Sequence, residues 1–377
     1  MGWTMGLNLL LLMAMVATNL LSVYHLSTTV RSPLPSPSSA SPIPDHLLRQ
    51  LRSLRSSISH LTPSSSASSS SSSSPPPPPS DLLLYSSLSP IASACHHHPS
   101  LLHSYMNYTP YSPCPRLDPT LVESLLLLGC HPLPRRRCFS PSNLPSPSST
   151  LPHDPFPSSL PDSAVLWSKY SCKSFSCLNH YNPGLGFDMP RESSRFTSYS
   201  DELDLPVSQL VTLARSAGVP LRVGIDVGGG TGTFAATMKR DYNVTVVTTT
   251  MNLGAPYSEA AAIRGVVPMH MPLQQRLPVF DGTMDLVRCG RAVNRWIPDV
   301  VLEFMLFDFD RVLRGGGYLW IDHFFSKGVS LEKVYKPLIG KLGYKKVKWA
   351  IVDKTDTAGI KNKEVYLTAL LQKPLTR

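Results

Sequence analysis

Ten residues, Val223-Gly224-Ile225-Asp226-Val227-Gly228-Gly229-Gly230-Thr231-Gly232, constrain this chain more than any others. They read as a buried β-strand that ends in a carboxylate and passes through a glycine loop into a helix. Glycine lets a backbone turn tightly and lets a ligand come close, because no Cβ stands in the way. A carboxylate at the strand's end accepts hydrogen bonds from an ammonium group or a hydroxyl. A small, partly cationic nucleoside is the ligand class that suits this combination.

The surrounding pattern supplies a sheet for such a loop. Asp204 reads as an N-cap with Pro206 just inside, and Val207, Leu210, Val211 and Ala214 then recur at helical spacing before Gly218. Strands are predicted over 221–227, 244–249, 266–270, 284–288 and 318–322, with helices over 234–240, 258–264 and 299–313 between them. Gly315-Gly316-Gly317 reads as the end of the last of these helices. A helix over 331–342 contains Pro337, which kinks or shortens it, and two strands over 345–352 and 364–372 fit a closing hairpin. Alternating elements of this kind predict an α/β domain over 196–377: a doubly wound, mainly parallel sheet of seven strands.

The first half has a different texture. Thirty-seven prolines are present in the 377 residues, and the serine run 68–74 leads straight into Pro75 to Pro79. Such segments bury too little apolar surface to offset their ordering entropy, so 25–94 reads as a disordered stalk. Residues 1–24 carry no charge and are long enough to span a bilayer, which predicts a membrane anchor; a cleaved signal peptide is the rival. Arg31, Arg49, Arg52 and Arg55 follow it, and by the positive-inside rule they point the C-terminal side to the cytosol. Against that, Cys95, Cys114, Cys130, Cys138, Cys172 and Cys177 form an even set in the loop-rich segment 95–195. That usage suggests disulfides in an oxidising lumen, and the sequons at Asn107 and Asn243 agree. His96-His97-His98 reads as a polar tract rather than a metal site. The net charge of +10 is scattered apart from 135–137 and 345–348, which favours a solvated face or an acidic substrate over nucleic acid.

Three ligand classes compete for the glycine loop. A dinucleotide reading through Gly230, Gly232 and Ala235 needs the glycines in a different register from Asp226 and an acid about twenty residues on. An ATPase of the actin and sugar-kinase type joins its phosphate loop to antiparallel strands, whereas a helix is predicted over 234–240. The third reading is carried by residues beyond the loop. The Asp-x-Gly-x-Gly-x-Gly order resembles the S-adenosylmethionine site of class I methyltransferases. Asp285 to Ala292 resembles their fourth-strand motif, and Leu313 to Leu319 their turn into strand five. Tyr108-Thr109-Pro110-Tyr111-Ser112-Pro113-Cys114, Cys130-His131-Pro132-Leu133-Pro134 and Arg291-Ala292-Val293-Asn294-Arg295-Trp296 resemble the Golgi-anchored plant methyltransferases linked to pectin and other wall polysaccharides.

That resemblance implies a type II Golgi membrane protein with a lumenal catalytic domain. It also implies S-adenosylmethionine as cofactor, a wall glycan or small acidic substrate, and association with other wall-biosynthesis enzymes. Asp226, Gly228, Gly230, Gly232, Thr249, Asn252 and Asp285 become its candidate cofactor-binding residues. Ligands of open α/β sheets lie beyond the carboxyl ends of the strands. His323 (as base), Asp322 and Arg291 are therefore the candidate catalytic groups, with Asn294, Arg295 and Trp296 nearby. Trp296 suits stacking on a sugar or, more simply, a core aromatic. Two departures stand out: no acid follows strand two at 248–252, and none follows strand three at 269–273. A lumenal scaffold that kept the loop and lost catalysis is the alternative.

Overall fold

The computed structural model describes residues 76–115, 120–140 and 151–376. The anchor predicted over 1–24 and most of the predicted stalk lie outside them. Among the described residues no helix is long and apolar enough to cross a membrane. Residues at the end of the predicted stalk carry helix α1 (Ser80–Leu88), which continues through α2 (Pro99–Met106) and α3 (Leu121–Leu127). A small core of Leu82, Leu102, Met106, Leu121 and Leu125 closes around the Cys95–Cys130 disulfide. Buried Asp81 receives Arg137 at 2.8 Å and so replaces solvent with an ion pair. Cys114–Cys138 and Cys172–Cys177 complete three disulfides, and Cys289 is the free thiol.

Beyond these come α4 (Phe175–Tyr181), α5 (Met189–Ser193) and α6 (Val207–Ser216). Asp204 does not cap α6: Pro206 holds that position, and the Asp204 carboxylate instead accepts from the Ser200 and Asp201 amides in the turn before it. The sheet consists of β1 (Val223–Val227), β2 (Thr245–Thr250), β3 (Val267–His270), β4 (Met284–Cys289), β5 (Leu313–Lys327), β6 (Lys345–Asp353) and β7 (Glu364–Gln372). Their order is β3-β2-β1-β4-β5-β7-β6, parallel through β5 and antiparallel across β7 and β6. Helices α7 (Thr233–Tyr242), α8 (Tyr257–Ile263) and α9 (Asp299–Val312) are the crossovers.

Every residue of β4 is buried, as expected of a strand covered on both faces. Val287, Cys289, Leu319 and Ile321 face α9 through Leu302, Met305 and Phe309. Leu286, Tyr318 and Trp320 face α6 and α7 through Leu210, Phe234 and Met238. Burying such side chains stabilises the fold by about 1.5–3 kcal/mol each.

Two elements differ from the sequence expectation. β5 starts at Leu313 rather than Tyr318, so the glycine triplet lies within the strand, where the pairing with β4 shifts register and Gly316 has a φ of +78°; Gly315 passes so near the Leu375 carbonyl that a Cβ would lie 2.5 Å from it. β5 also runs on past Cys289, the last residue of β4, because β7 keeps pairing with it to Lys327. The helix predicted over 331–342 is a π-turn over Leu331–Tyr335 followed by Lys336–Gly340. Pro337 has no amide hydrogen to continue the regular ladder, and the turn before it widens.

Candidate active site

The loop after β1 is fixed from β2 and from underneath. The Gly228 amide donates to Thr249 Oγ1 at 2.9 Å and the Gly229 amide to the Thr249 carbonyl at 3.0 Å. Gly228, Gly230 and Gly232 all have positive φ, the region open to glycine without strain. Their surroundings differ. A Cβ on Gly228 would stand 2.6 Å from that of Ala292 and 3.2 Å from Leu273, so the chain itself fills that cradle. Gly232 faces Val266 and Ala261 and serves the packing of α7. Gly230 alone looks into open space, with the Tyr257 ring 3.9 Å from where a Cβ would be. Gly229 lies over the carboxylate of Asp226, and a Cβ there would fall 2.1 Å from Oδ2.

Gly229→Ala is therefore expected to cost about 1–3 kcal/mol or more by overpacking. Gly230→Ala pays only for its positive φ, about 1–2 kcal/mol, and acts mainly on ligand approach. Denaturant midpoints of the two variants check the order.

Asp226 is fully buried, and its partner is not an exposed ligand group but Arg288 of β4. Arg288 Nη1 donates to Asp226 Oδ1 at 2.5 Å, and Nη2 donates to Asp322 Oδ2 at the end of β5. Phe196, Phe234 and Trp320 surround the guanidinium, with ring centres 4.7, 5.1 and 5.3 Å from its carbon. Two buried carboxylates share one arginine, and Asp226 Oδ2 has no hydrogen-bond partner among the described residues. Burial pushes the Asp226 carboxyl above its usual range, more than Arg288 pulls it down. Burial acts the same way on Asp322, but there the charge of Arg288 and the hydrogen bond from His323 outweigh it and hold the carboxyl well below that range.

His323 sits beside this triad. Its Nδ1 is 2.7 Å from Asp322 Oδ1, its amide donates to Thr368 Oγ1 at 3.2 Å, and its φ is +54° at the β5 bulge. The strained backbone aims the ring beyond the strand ends, and its side chain keeps 16 % of its exposure. An imidazole fixed at Nδ1 by a carboxylate presents Nε2 to an acceptor, the arrangement of an oriented general base. His323 and Asp322 thus come together as the sequence suggests, and Arg288 is a third member that it did not indicate.

Several other candidates lie elsewhere. Asp285 starts β4, at the end of the sheet opposite the loop, where it accepts from the Arg222 and Val223 amides and pairs with Arg314 at 2.6 Å. It ties three strand starts together and touches no ligand position. Thr249 works on the loop itself. Asn252 is committed within the protein: its Oδ1 accepts from the Ser258 amide at 2.9 Å and its Nδ2 donates to Glu259 Oε2 at 2.7 Å. Arg291 is exposed, with no ion pair among the described residues. Asn294 is buried and braces its own turn.

An acid, Glu259 in the first turn of α8, is bonded to Asn252 just past the end of β2. Tyr170 donates to its Oε1 at 3.2 Å, so Asn252 and Tyr170 hold the carboxylate between them. At the end of β3, His270 Nδ1 lies 3.4 Å from Ser258 Oγ, and its Nε2 lies 3.7 Å from Glu123 of α3. The N-terminal elements also grip the far side of the loop. Thr231 donates to the Gly186 carbonyl at 2.8 Å, Thr233 donates to Glu192, and buried Arg264 bridges both threonines to the Pro155 carbonyl. Open Gly230, the Tyr257 ring, and acceptors at Glu259 and His270 form a set of groups that fits a nucleoside carrying hydroxyls.

The chain is 62% identical over 391 residues, covering 100% of both chains, to an Arabidopsis thaliana protein named a probable methyltransferase. No protein-family model matches. Among solved structures, a geranyl diphosphate C-methyltransferase from Streptomyces coelicolor gives a TM-score of 0.34 at 11% identity, covering 45% of this chain and 79% of that one. An N-methyltransferase from Bradyrhizobium japonicum gives 0.33 at 14%, covering 44% and 93%. The family assignment rests on the plant relative.

Proposed function

We infer the function from one premise: the chain belongs to the plant methyltransferase family represented by that Arabidopsis thaliana protein. The reading it supports is S-adenosylmethionine-dependent methyl transfer to an oxygen of a cell-wall glycan, in the lumen of the secretory pathway. The observation that carries the chemistry is the Asp322–His323 pair beyond the strand ends, fixed to Asp226 under the glycine loop through Arg288. Three disulfides support an oxidising compartment, in line with a Golgi-lumenal domain behind an N-terminal anchor.

Bound S-adenosylmethionine supplies an electrophilic methyl group. Gly230 would allow its close approach, Tyr257 would offer it an apolar wall, and Glu259 would accept from its hydroxyls. His323 Nε2 takes the proton from an acceptor hydroxyl, while Asp322 holds the other ring nitrogen and stabilises the imidazolium. Arg288 keeps Asp322 ionised. An oriented base favours a hydroxyl over a carboxylate acceptor, since a carboxylate needs only a cation such as Arg291 to hold it.

A second reading, a non-catalytic lumenal partner of wall-synthesis enzymes, draws on the Gly228 cradle that Ala292 and Leu273 fill. Methyl transfer separates the two. The full chain, given methyl-labelled S-adenosylmethionine and de-esterified acidic wall-glycan fragments, is expected to label the glycan. Glu259→Gln is expected to raise the cofactor's KM at least tenfold. A folded chain that labels no glycan favours the partner reading.

A further inference from the structure

The overhang of β5 and β7 beyond β4 carries a row of rings that ends at the base. Trp296, 73 % exposed, stands edge-on to Phe325 with ring centres 5.6 Å apart. Phe325 lies 5.8 Å from Tyr366, its cross-strand neighbour, and Tyr366 lies 6.1 Å from the His323 ring. The turn that presents Trp296 is fastened to this wall, because the Arg295 amide donates to the Phe325 carbonyl at 3.1 Å. A surface tryptophan this open contradicts a core role for Trp296. Trp296 is the exposed ring of the row, and Phe325 and Tyr366 stand half-buried behind it, so the row opens to solvent at its Trp296 end.

The row is also cationic. Arg295 and Lys354 approach the Phe325 ring at 5.0 and 5.1 Å, and exposed Arg291, with no ion pair among the described residues, opens the same turn. Glu364 is the carboxylate shared by Arg295 and Lys354, at 3.2 and 3.1 Å, and exposed Asp356 adds a second contact to Lys354 at 3.2 Å. These three cations outnumber the two carboxylates beside them. The open Trp296 ring suits the apolar face of a sugar, and the exposed Arg291 guanidinium suits a carboxylate. Three successive ring steps offer contact to more than one sugar.

We propose that Trp296, Phe325 and Tyr366 form a ledge that binds an extended, carboxylate-bearing sugar chain and feeds one of its residues to His323. The inference rests on the acceptor class given above and adds a length requirement and a set of residues to it. Titration of the full chain with uronic-acid oligomers of one, three and six residues, followed by tryptophan fluorescence and calorimetry, tests it. Affinity is expected to rise at least tenfold from one residue to three, and to weaken at least tenfold against neutral oligomers of equal length. Trp296→Ala is expected to abolish the length dependence, and Trp296→Phe to restore part of it. Cofactor binding is expected to be unchanged in both, which separates loss of the ledge from loss of the methyltransferase site. Equal binding of monomer and hexamer, or a Trp296→Ala chain with wild-type length dependence, overturns the ledge. Equal binding of neutral oligomers overturns its preference for acidic chains.

Discussion

Arg288→Met is expected to destabilise the chain by about 3–5 kcal/mol, the cost of leaving buried charges without their counterion. Asp226 and Asp322 would both lose their shared partner inside the protein, where both are buried. Methionine keeps most of the contact with Phe196, Phe234 and Trp320, so the loss reports on charge rather than on volume. Adding Asp226→Asn and Asp322→Asn to Arg288→Met removes the stranded charges, and most of the lost stability is expected to return. Denaturant midpoints of the two variants measure both steps. Equal destabilisation in the single and triple variants would mean that packing, not charge, sets the role of Arg288.

His323→Gln is expected to lower kcat by about 10²–10⁴-fold, the usual contribution of a positioned general base. The side chain is partly exposed, and Asp322 keeps Arg288 as a partner, so a smaller effect on stability accompanies it. Asp322→Asn is expected to lower kcat in the same direction, because an amide no longer fixes the Nδ1-protonated ring. Steady-state rates at saturating cofactor check both variants. Unchanged rates in His323→Gln would move the acceptor toward a carboxylate held by Arg291, a group that needs no base.

The loop and its sheet were legible because their signals are local. Strand, carboxylate, glycines and helix follow one another within a few residues, and the β-branched run 245–250 names the neighbouring strand directly. Pairing across the fold was not legible. Asp226 and Arg288 are 62 residues apart in the chain, and Arg288 and Asp322 are 34 apart. The available signal was the placement of Arg288 inside an otherwise apolar buried strand, since such a charge requires a partner. Asp285 misled for the matching reason: its motif is recognisable, but the sequence does not say at which end of β4 its carboxylate acts. Glu259 carries no such signal, because the chain brings it to Asn252 from the first turn of α8 rather than from the strand's end. Trp296 shows the limit of residue type alone, because exposure decides between a core ring and a binding ring.

The central claim is that the loop Asp226–Gly232, completed by Glu259 and the N-terminal elements, is a working S-adenosylmethionine site. Calorimetric titration of the full chain with S-adenosylmethionine tests it most directly. Saturable binding at one site per chain, weakened at least tenfold in Gly230→Ala and in Glu259→Gln, is the predicted result. A folded chain that gives no binding heat and no cofactor-dependent rise in Tm would contradict it.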